Sequence, residues 1–312
     1  MLEAILYSVV GLVGLAIGGE LLVRGAVGIA QKLGVSTLFT GLVIVGFATS
    51  MPEMVASVQA SLAGSPEIAW GNIVGSNLAN TLLILGTSAL VMPIVLTGSG
   101  RRDAVVALAV TLLLWALVWS QLGARWIGFA LLAGIVAYIV WRYRHPGGAT
   151  VDETDSSDET SDGPGSGVVA FGLFIVGLAI LVLGGQALVT GAIDLARIIG
   201  VSETVIGLTV VAVGTSLPEL AASIAAAVRG KSGLALGNVV GSNIYNILLI
   251  GGATMSIAPF ALPQSLVGLQ MALLTASAVL LLALLWFGKR IGRIVGALLV
   301  AAFAGNVVLV FA

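Results

Sequence analysis

Gly41-Leu42-Val43-Ile44-Val45-Gly46-Phe47-Ala48-Thr49-Ser50-Met51-Pro52-Glu53 is answered 166 residues later by Gly207-Leu208-Thr209-Val210-Val211-Ala212-Val213-Gly214-Thr215-Ser216-Leu217-Pro218-Glu219. At the same offset, Gly71-Asn72-Ile73-Val74-Gly75-Ser76-Asn77-Leu78-Ala79-Asn80 returns as Gly237-Asn238-Val239-Val240-Gly241-Ser242-Asn243-Ile244-Tyr245-Asn246. Each copy sets one carboxylate and several small oxygen-bearing side chains inside a stretch otherwise fit for lipid. An ionisable group within a membrane span marks a functional site. A matched pair of them points to a cation site at the seam of a duplicated membrane transporter.

The rest of the chain supports a lipid setting. Of 312 residues, 59% are hydrophobic and only 9% charged, with a mean hydropathy of +1.15. A soluble domain carries about 25% charged residues, so most of this surface must face lipid. The net charge of −1 and the lack of a basic patch argue against a nucleic-acid partner. The chain has no cysteine and one histidine, His145. Disulfides, thiolate metal sites and cysteine or histidine catalysis are thereby set aside. Ten apolar spans are expected near 4–30, 37–62, 68–92, 103–121, 125–143, 168–197, 203–228, 234–258, 265–287 and 291–311, each near or above the roughly 20 residues that cross a bilayer. The fold class is therefore all-α integral membrane. An N-terminal half (1–145) and a C-terminal half (168–312) hold five spans each. The segment 146–167 joins them, and its stretch 152–162 carries six carboxylates among Ser and Thr. Lacking apolar residues, it reads as an acidic, disordered tether rather than a calcium-sensing strip.

Aligning 16–93 with 182–259 gives 34 identities in 78 positions without a gap. Five spans per half is an odd number, so the halves enter the membrane from opposite sides as inverted repeats. With that topology, eleven of the thirteen Lys and Arg residues fall on one side and only Arg125 and Arg197 on the other. The rich side is cytoplasmic, which puts both termini outside and the tether inside. A plasma membrane is expected.

The spacing within each copy is helical. Thr49 and Glu53, like Thr215 and Glu219, are one turn apart and share a face. Pro52 and Pro218 remove a backbone bond just before each glutamate, so a mid-helix break is expected there. Asn72, Ser76 and Asn80 line one stripe, as do Asn238, Ser242 and Asn246. Neutral amide and hydroxyl oxygens suit hard cations such as Na⁺ and Ca²⁺, although asparagines also tie membrane helices together. For Asn72, Asn77, Asn238 and Asn243 both readings stand. Glu53 and Glu219 have no basic residue at their depth, and a charge at a helix centre costs at least about 2.5–3.5 kcal/mol. They call for a bound cation or protons. Glu20 precedes Arg24 by one turn and is matched by Gln186. Asp194 lies near Arg197, and Glu67, Asp103 and Glu203 fall at span ends. All five read as structural or solvated. A glutamate dyad could also serve an intramembrane hydrolase, but such enzymes need unlike roles and these sites are near twins.

The doubled Thr-Ser-x-Pro-Glu and Gly-Asn-x-x-Gly-Ser-Asn-x-x-Asn segments resemble the two α-repeats of the sodium/calcium exchanger family, over nearly the whole chain. The resemblance implies ten helices in two inverted halves, no enzymatic activity, no cofactor and no required protein partner. It implies a diamond of cation subsites: Glu53 and Glu219 as central carboxylates, Thr49, Ser50, Thr215 and Ser216 as hydroxyl and carbonyl ligands, Ser76 and Ser242 as flanking Na⁺ ligands, and Asn80 and Asn246 completing it. Helices 1 and 6 look like the family's sliding gate pair. One departure is Asn246, where many members carry Asp. With two formal charges in the site, one Ca²⁺ or two protons neutralise it, whereas three Na⁺ leave +1. This argues against K⁺ co-transport. Ca²⁺/Na⁺ antiport is the leading expectation, and H⁺/Ca²⁺ antiport on the same scaffold is the alternative.

Overall fold

The computed structural model describes residues 1–145, 166–200, 212–259, 262–263, 266 and 268–311. The tether 152–162, Glu203, and the first part of the 203–228 span, with Gly207 to Val211 of the second copy, lie outside the described residues. Helices α1 (Leu2–Leu33) and α6 (Gly167–Ile198) are each 32 residues long. A wide left-handed cap at Gly34 ends α1. Two half-helices follow, α2a (Thr37–Thr49) and α2b (Met51–Leu62), bent by 42°. Then come α3 (Pro66–Val91), α4 (Arg101–Ser120) and α5 (Arg125–Arg144). The second half continues with α7 (Leu217–Val228), α8 (Ser232–Ile257), α9 (Leu269–Phe287) and α10 (Arg293–Phe311). Among the described residues, seven helices are long and apolar enough to cross a bilayer, and an eighth if the bent pair is one span.

Two departures from the sequence reading are small and local. Ile94–Val95 (β1) pairs antiparallel with Arg290–Ile291 (β2), so a two-residue ribbon joins the halves. The last span accordingly starts at Arg293 rather than at 291. The prolines also act differently from the expected mid-helix interruption. Pro52 and Pro218 sit in the first turn of α2b and α7, where a missing N–H has no helical partner to lose.

The order from core to periphery is set by small residues. In α8, 89% of an 18-residue apolar stretch is buried and in α3 78%, against 28% in α1 and α6. α1 and α6 run antiparallel along a seam of glycines, Gly11, Gly18 and Gly25 on one and their twins Gly177, Gly184 and Gly191 on the other. A side-chain carbon at Gly18 would stand 2.7 Å from the Leu181 nitrogen, and one at Gly184 2.9 Å from that of Leu15. The seven-residue spacing returns a glycine to the same face every two turns. The halves interlock, with α5 packing on the later part of α8, α10 on the later part of α3, and α4 on α9. Outward faces carry large apolar side chains such as Leu2, Val168 and Phe287, each over 80% exposed. Trp119, Trp126, Tyr143 and Trp286 are exposed at helix ends, where amphipathic rings meet the headgroup layer.

α2a lies against α8 without room for side chains. A carbon at Gly41 would meet the Leu234 carbonyl and stand 3.0 Å from the Gly237 Cα. Gly41→Ala is therefore expected to destabilise the detergent-solubilised protein by about 1–3 kcal/mol through overpacking, read as a lowered midpoint in a thermal melt. Gly75→Ala, inside a helix on an exposed face with nothing within 4 Å, should not lower the midpoint and is expected to raise it slightly.

Candidate cation site

Each glutamate stands in the first turn of a fresh half-helix. α2 breaks at Ser50, whose backbone (φ −81°, ψ 1°) caps both halves. Glu53 follows in the first turn of α2b. On the other side the chain turns at Thr215 and Ser216, with Ser216 (φ −89°, ψ 7°) as the cap and Glu219 in the first turn of α7. The N-terminal end of a helix carries unpaired N–H groups and about half a positive charge. Both helix ends thus favour an ionised carboxylate buried in the middle of the protein.

Matched asparagines fix the glutamate backbones. Asn72 Nδ2 donates to the Glu53 carbonyl (3.3 Å) and to Ser57 Oγ (2.9 Å). Asn238 Nδ2 donates to the Glu219 carbonyl (3.2 Å) and to Ser223 Oγ (2.9 Å). The two sets are related by the repeat offset, and they give Asn72 and Asn238 a positioning role. Asn77 Nδ2 turns back to the Ile73 carbonyl (2.8 Å), and Asn243 Nδ2 reaches Thr81 Oγ1 (2.9 Å) across the repeats. These asparagines tie backbone and helices together.

The repeats meet crosswise at the carboxylates. Ser216 Oγ donates to Glu53 Oε1 (3.1 Å). Glu219 stands beside Thr49 and Ser50 and within electrostatic reach of Glu53. Thr49 Oγ1 lies 3.0 Å from the Val45 carbonyl and 3.2 Å from Asn238 Oδ1. Asn80 and Asn246 open wide helical turns, Ala79–Ile84 and Asn246–Ile250, in which each asparagine carbonyl accepts from the N–H five residues on. The first of these turns packs against α7 and the second against α2b. Each asparagine therefore comes to the helix that carries the other repeat's glutamate. Such turns recur at functional sites.

Of the ten site residues expected from sequence, Thr49, Ser50, Glu53, Ser76, Asn80, Ser216, Glu219, Ser242 and Asn246 are buried, and Thr215 is half-buried. Six buried oxygens among them lack a hydrogen-bond partner: Glu53 Oε2, Glu219 Oε2, Ser50 Oγ, Thr215 Oγ1, Ser242 Oγ and Asn246 Oδ1. A carboxylate oxygen only accepts, so another acceptor cannot satisfy it. A hard cation satisfies several oxygens at once. Among the described residues no cluster of three or more His, Cys, Asp or Glu occurs. A cation held by the two carboxylates would draw its other ligands from neutral oxygens, a set that suits alkali and alkaline-earth ions better than softer metals.

Of the acidic residues read from sequence as structural or solvated, the structure describes Glu20, Glu67, Asp103 and Asp194. Glu20 accepts from Arg24 Nε (2.8 Å), as its spacing suggested, and also from Arg229 Nε (2.7 Å) at the end of α7. Asp194 lies 3.8 Å from Arg197, and Glu67 is exposed. Asp103 is fully buried, accepting from Tyr138 Oη (2.8 Å) and Arg142 Nε (3.3 Å). Sequence reasoning overlooked Ser57 and Ser223. Their signal was present, because both copies hold serine one turn after the glutamate. The Glu20–Arg229 pair, 209 residues apart, had no local signal.

A helical membrane protein with paired buried carboxylates on broken, repeated helices belongs to the class of secondary cation transporters. The comparisons make the class definite. The family model described as sodium/calcium exchanger protein matches residues 3–144 and 169–312, and the chain belongs to that family of cation/Ca²⁺ antiporters. The putative antiporter CaxA of Alkalimonas amylolytica is 37% identical, with 100% of this chain and 99% of that protein covered. The sodium/calcium exchanger MaX1 of Methanosarcina acetivorans is 31% identical, with 98% of each covered. A solved structure of the sodium-calcium exchanger NCX_Mj superposes with a TM-score of 0.84 at 32% identity, covering 99% of both chains.

Removing a positioning asparagine should loosen the site without removing a charge. Asn238→Ala deletes three hydrogen bonds worth about 0.5–1.5 kcal/mol each and is expected to weaken Ca²⁺ binding at least about tenfold in equilibrium ⁴⁵Ca²⁺ binding. Asn77→Ala, which deletes a bond within one helix, should change it less than twofold.

Proposed function

We propose that the chain exchanges Ca²⁺ for Na⁺ by alternating access, with Glu53 and Glu219 at the centre of one shared site. Thr49, Ser50, Thr215, Ser216, Ser76, Ser242, Asn80 and Asn246 supply its neutral oxygens. The observation that carries the reading is the pair of buried carboxylates, each on the N-terminal turn of a half-helix and each holding an unpartnered oxygen. Counting the bent pair and the shorter apolar helices Leu217–Val228 and Arg293–Leu309 as spans gives ten, in two inverted halves of five. The Lys and Arg distribution orients them in a plasma membrane with both termini outside and the acidic tether in the cytoplasm. The names of the relatives, an antiporter and two sodium/calcium exchangers, agree with this reading.

Charge gives the mechanism its coupling. With no ion bound, two carboxylates share a dry site, and closing protein over them is costly. One Ca²⁺ or a set of Na⁺ ions offsets that charge and lets the protein close around its cargo. Exchange follows when only the occupied site moves readily between its two exposures. Transport breaks and makes coordination bonds only.

In proteoliposomes, Glu53→Gln and Glu219→Gln should each reduce Na⁺-gradient-driven ⁴⁵Ca²⁺ flux to background. Flux retained in both variants overturns the assignment. The alternative coupling ion has its own arm: Ca²⁺ flux driven by a pH gradient without Na⁺ would establish protons as the counter-ion.

A further inference from the structure

The repeat is symmetric in sequence but not in arrangement. Gly237 and Gly241 of α8 are buried against Leu38 and Leu42 of α2a. Their twins on α3 differ, with Gly71 half-buried and Gly75 exposed. The Thr49–Asn238 contact is made, while Thr215 Oγ1 has no partner. α1 rests on α7, where a carbon at Gly19 would stand 3.0 Å from the Ala221 carbonyl and 3.2 Å from the Ala225 Cβ. Among the described residues, α6 makes at most marginal contact with α2b, the equivalent pair.

The α1–α7 contact ends in an ion pair. Glu20 of α1 is held by Arg229 Nε at 2.7 Å, with Arg229 Nη2 on its other oxygen. Arg229 caps the C-terminal end of α7, where a cation is favoured. The repeat offset shows what the opposite arrangement would offer instead. Glu20, Arg24 and Arg229 correspond to Gln186, Thr190 and Ala63, and no charge pair can form. Ala221 and Ala225 correspond to Val55 and Gln59, larger side chains that hold Gly185 further off.

We propose that Glu20 and Arg229 form a one-sided latch that holds α1 on α7 and favours the arrangement closed on the side of Arg229, the cytoplasmic side by the Lys and Arg count. Residues 186 and 63 provide no counterpart, so the two access states of the exchanger are unequal in free energy. The inference rests on the alternating-access reading above. It adds a residue pair outside the ion site that sets the balance between the states. A partly exposed ion pair of this kind shifts an equilibrium by about two- to fivefold.

The chain has no cysteine, so two introduced ones report on the latch directly. Leu33→Cys on α1 and Val228→Cys on α7, both at exposed positions, are spin-labelled in nanodiscs and the distance distribution is measured. Glu20→Gln is expected to move about two- to fivefold more of the population to a second distance. Arg229→Gln should do the same, and the double variant no more than either, because all three remove one interaction. Installing the missing counterpart, Gln186→Glu with Ala63→Arg, should shift the population in that same direction. In right-side-out and inside-out vesicles, Glu20→Gln should weaken apparent Ca²⁺ affinity from the outside and strengthen it from the inside. An unchanged distance distribution in both single variants, additive effects in the double, or affinities that move together on both sides overturns the latch. The unlatched variants are read against native flux: exchange absent from the native protein overturns the functional reading alone, whereas native exchange with unshifted variants overturns the latch alone.

Discussion

Two carboxylates near each other in a dry protein interior repel, and this repulsion is the constraint on which the structure depends. Among the described residues, neither Glu53 nor Glu219 pairs with an arginine or lysine. Ser216 donates to the Glu53 carboxylate, Thr49 and Ser50 stand beside that of Glu219, and each glutamate lies in the first turn of a helix. Those groups soften the charge without neutralising it. A fixed basic residue would settle the site permanently and leave nothing for an ion to do. Carboxylates left open in this way suit a member of a family of cation/Ca²⁺ antiporters.

The architecture follows from bringing the two groups together. One copy of the motif supplies one charged half-helix and one asparagine-bearing helix. Crossing the copies lets α7 meet the wide turn at Asn80 and α2b meet the wide turn at Asn246. The glycine-lined seam of α1 and α6 places two long, smooth helices at the rim of this centre. Small residues keep the contact between the two helix backbones close.

Much of this was legible in the sequence because membrane physics leaves few choices. A charge in an apolar span is rare, and a charge repeated at one offset is rarer. Glu53 and Glu219 therefore stood out at once. Helical spacing placed Thr49 with Glu53 and Asn80 with Ser76 on shared faces, and the resemblance of the repeated motifs singled out the remaining hydroxyls and Asn246. The break at Ser50 was legible through Pro52, but its form was not. Sequence suggested a helix interrupted midway, whereas the proline opens a new helix and turns its positive end toward the glutamate. Ser57 and Ser223 were missed because serine is unremarkable until its partner, Asn72 or Asn238, is seen. The ribbon of Ile94–Val95 with Arg290–Ile291 and the Glu20–Arg229 pair depend on contacts far apart in the chain, which no local pattern encodes.

The central claim is that the two repeats build one site rather than one site each. Equilibrium ⁴⁵Ca²⁺ binding to the purified protein in nanodiscs, with Na⁺ as competitor, tests it directly. One competable Ca²⁺ per chain is expected, lost whole when either glutamate is neutralised. Two Ca²⁺ per chain, or binding that falls by half with each single substitution, would contradict it.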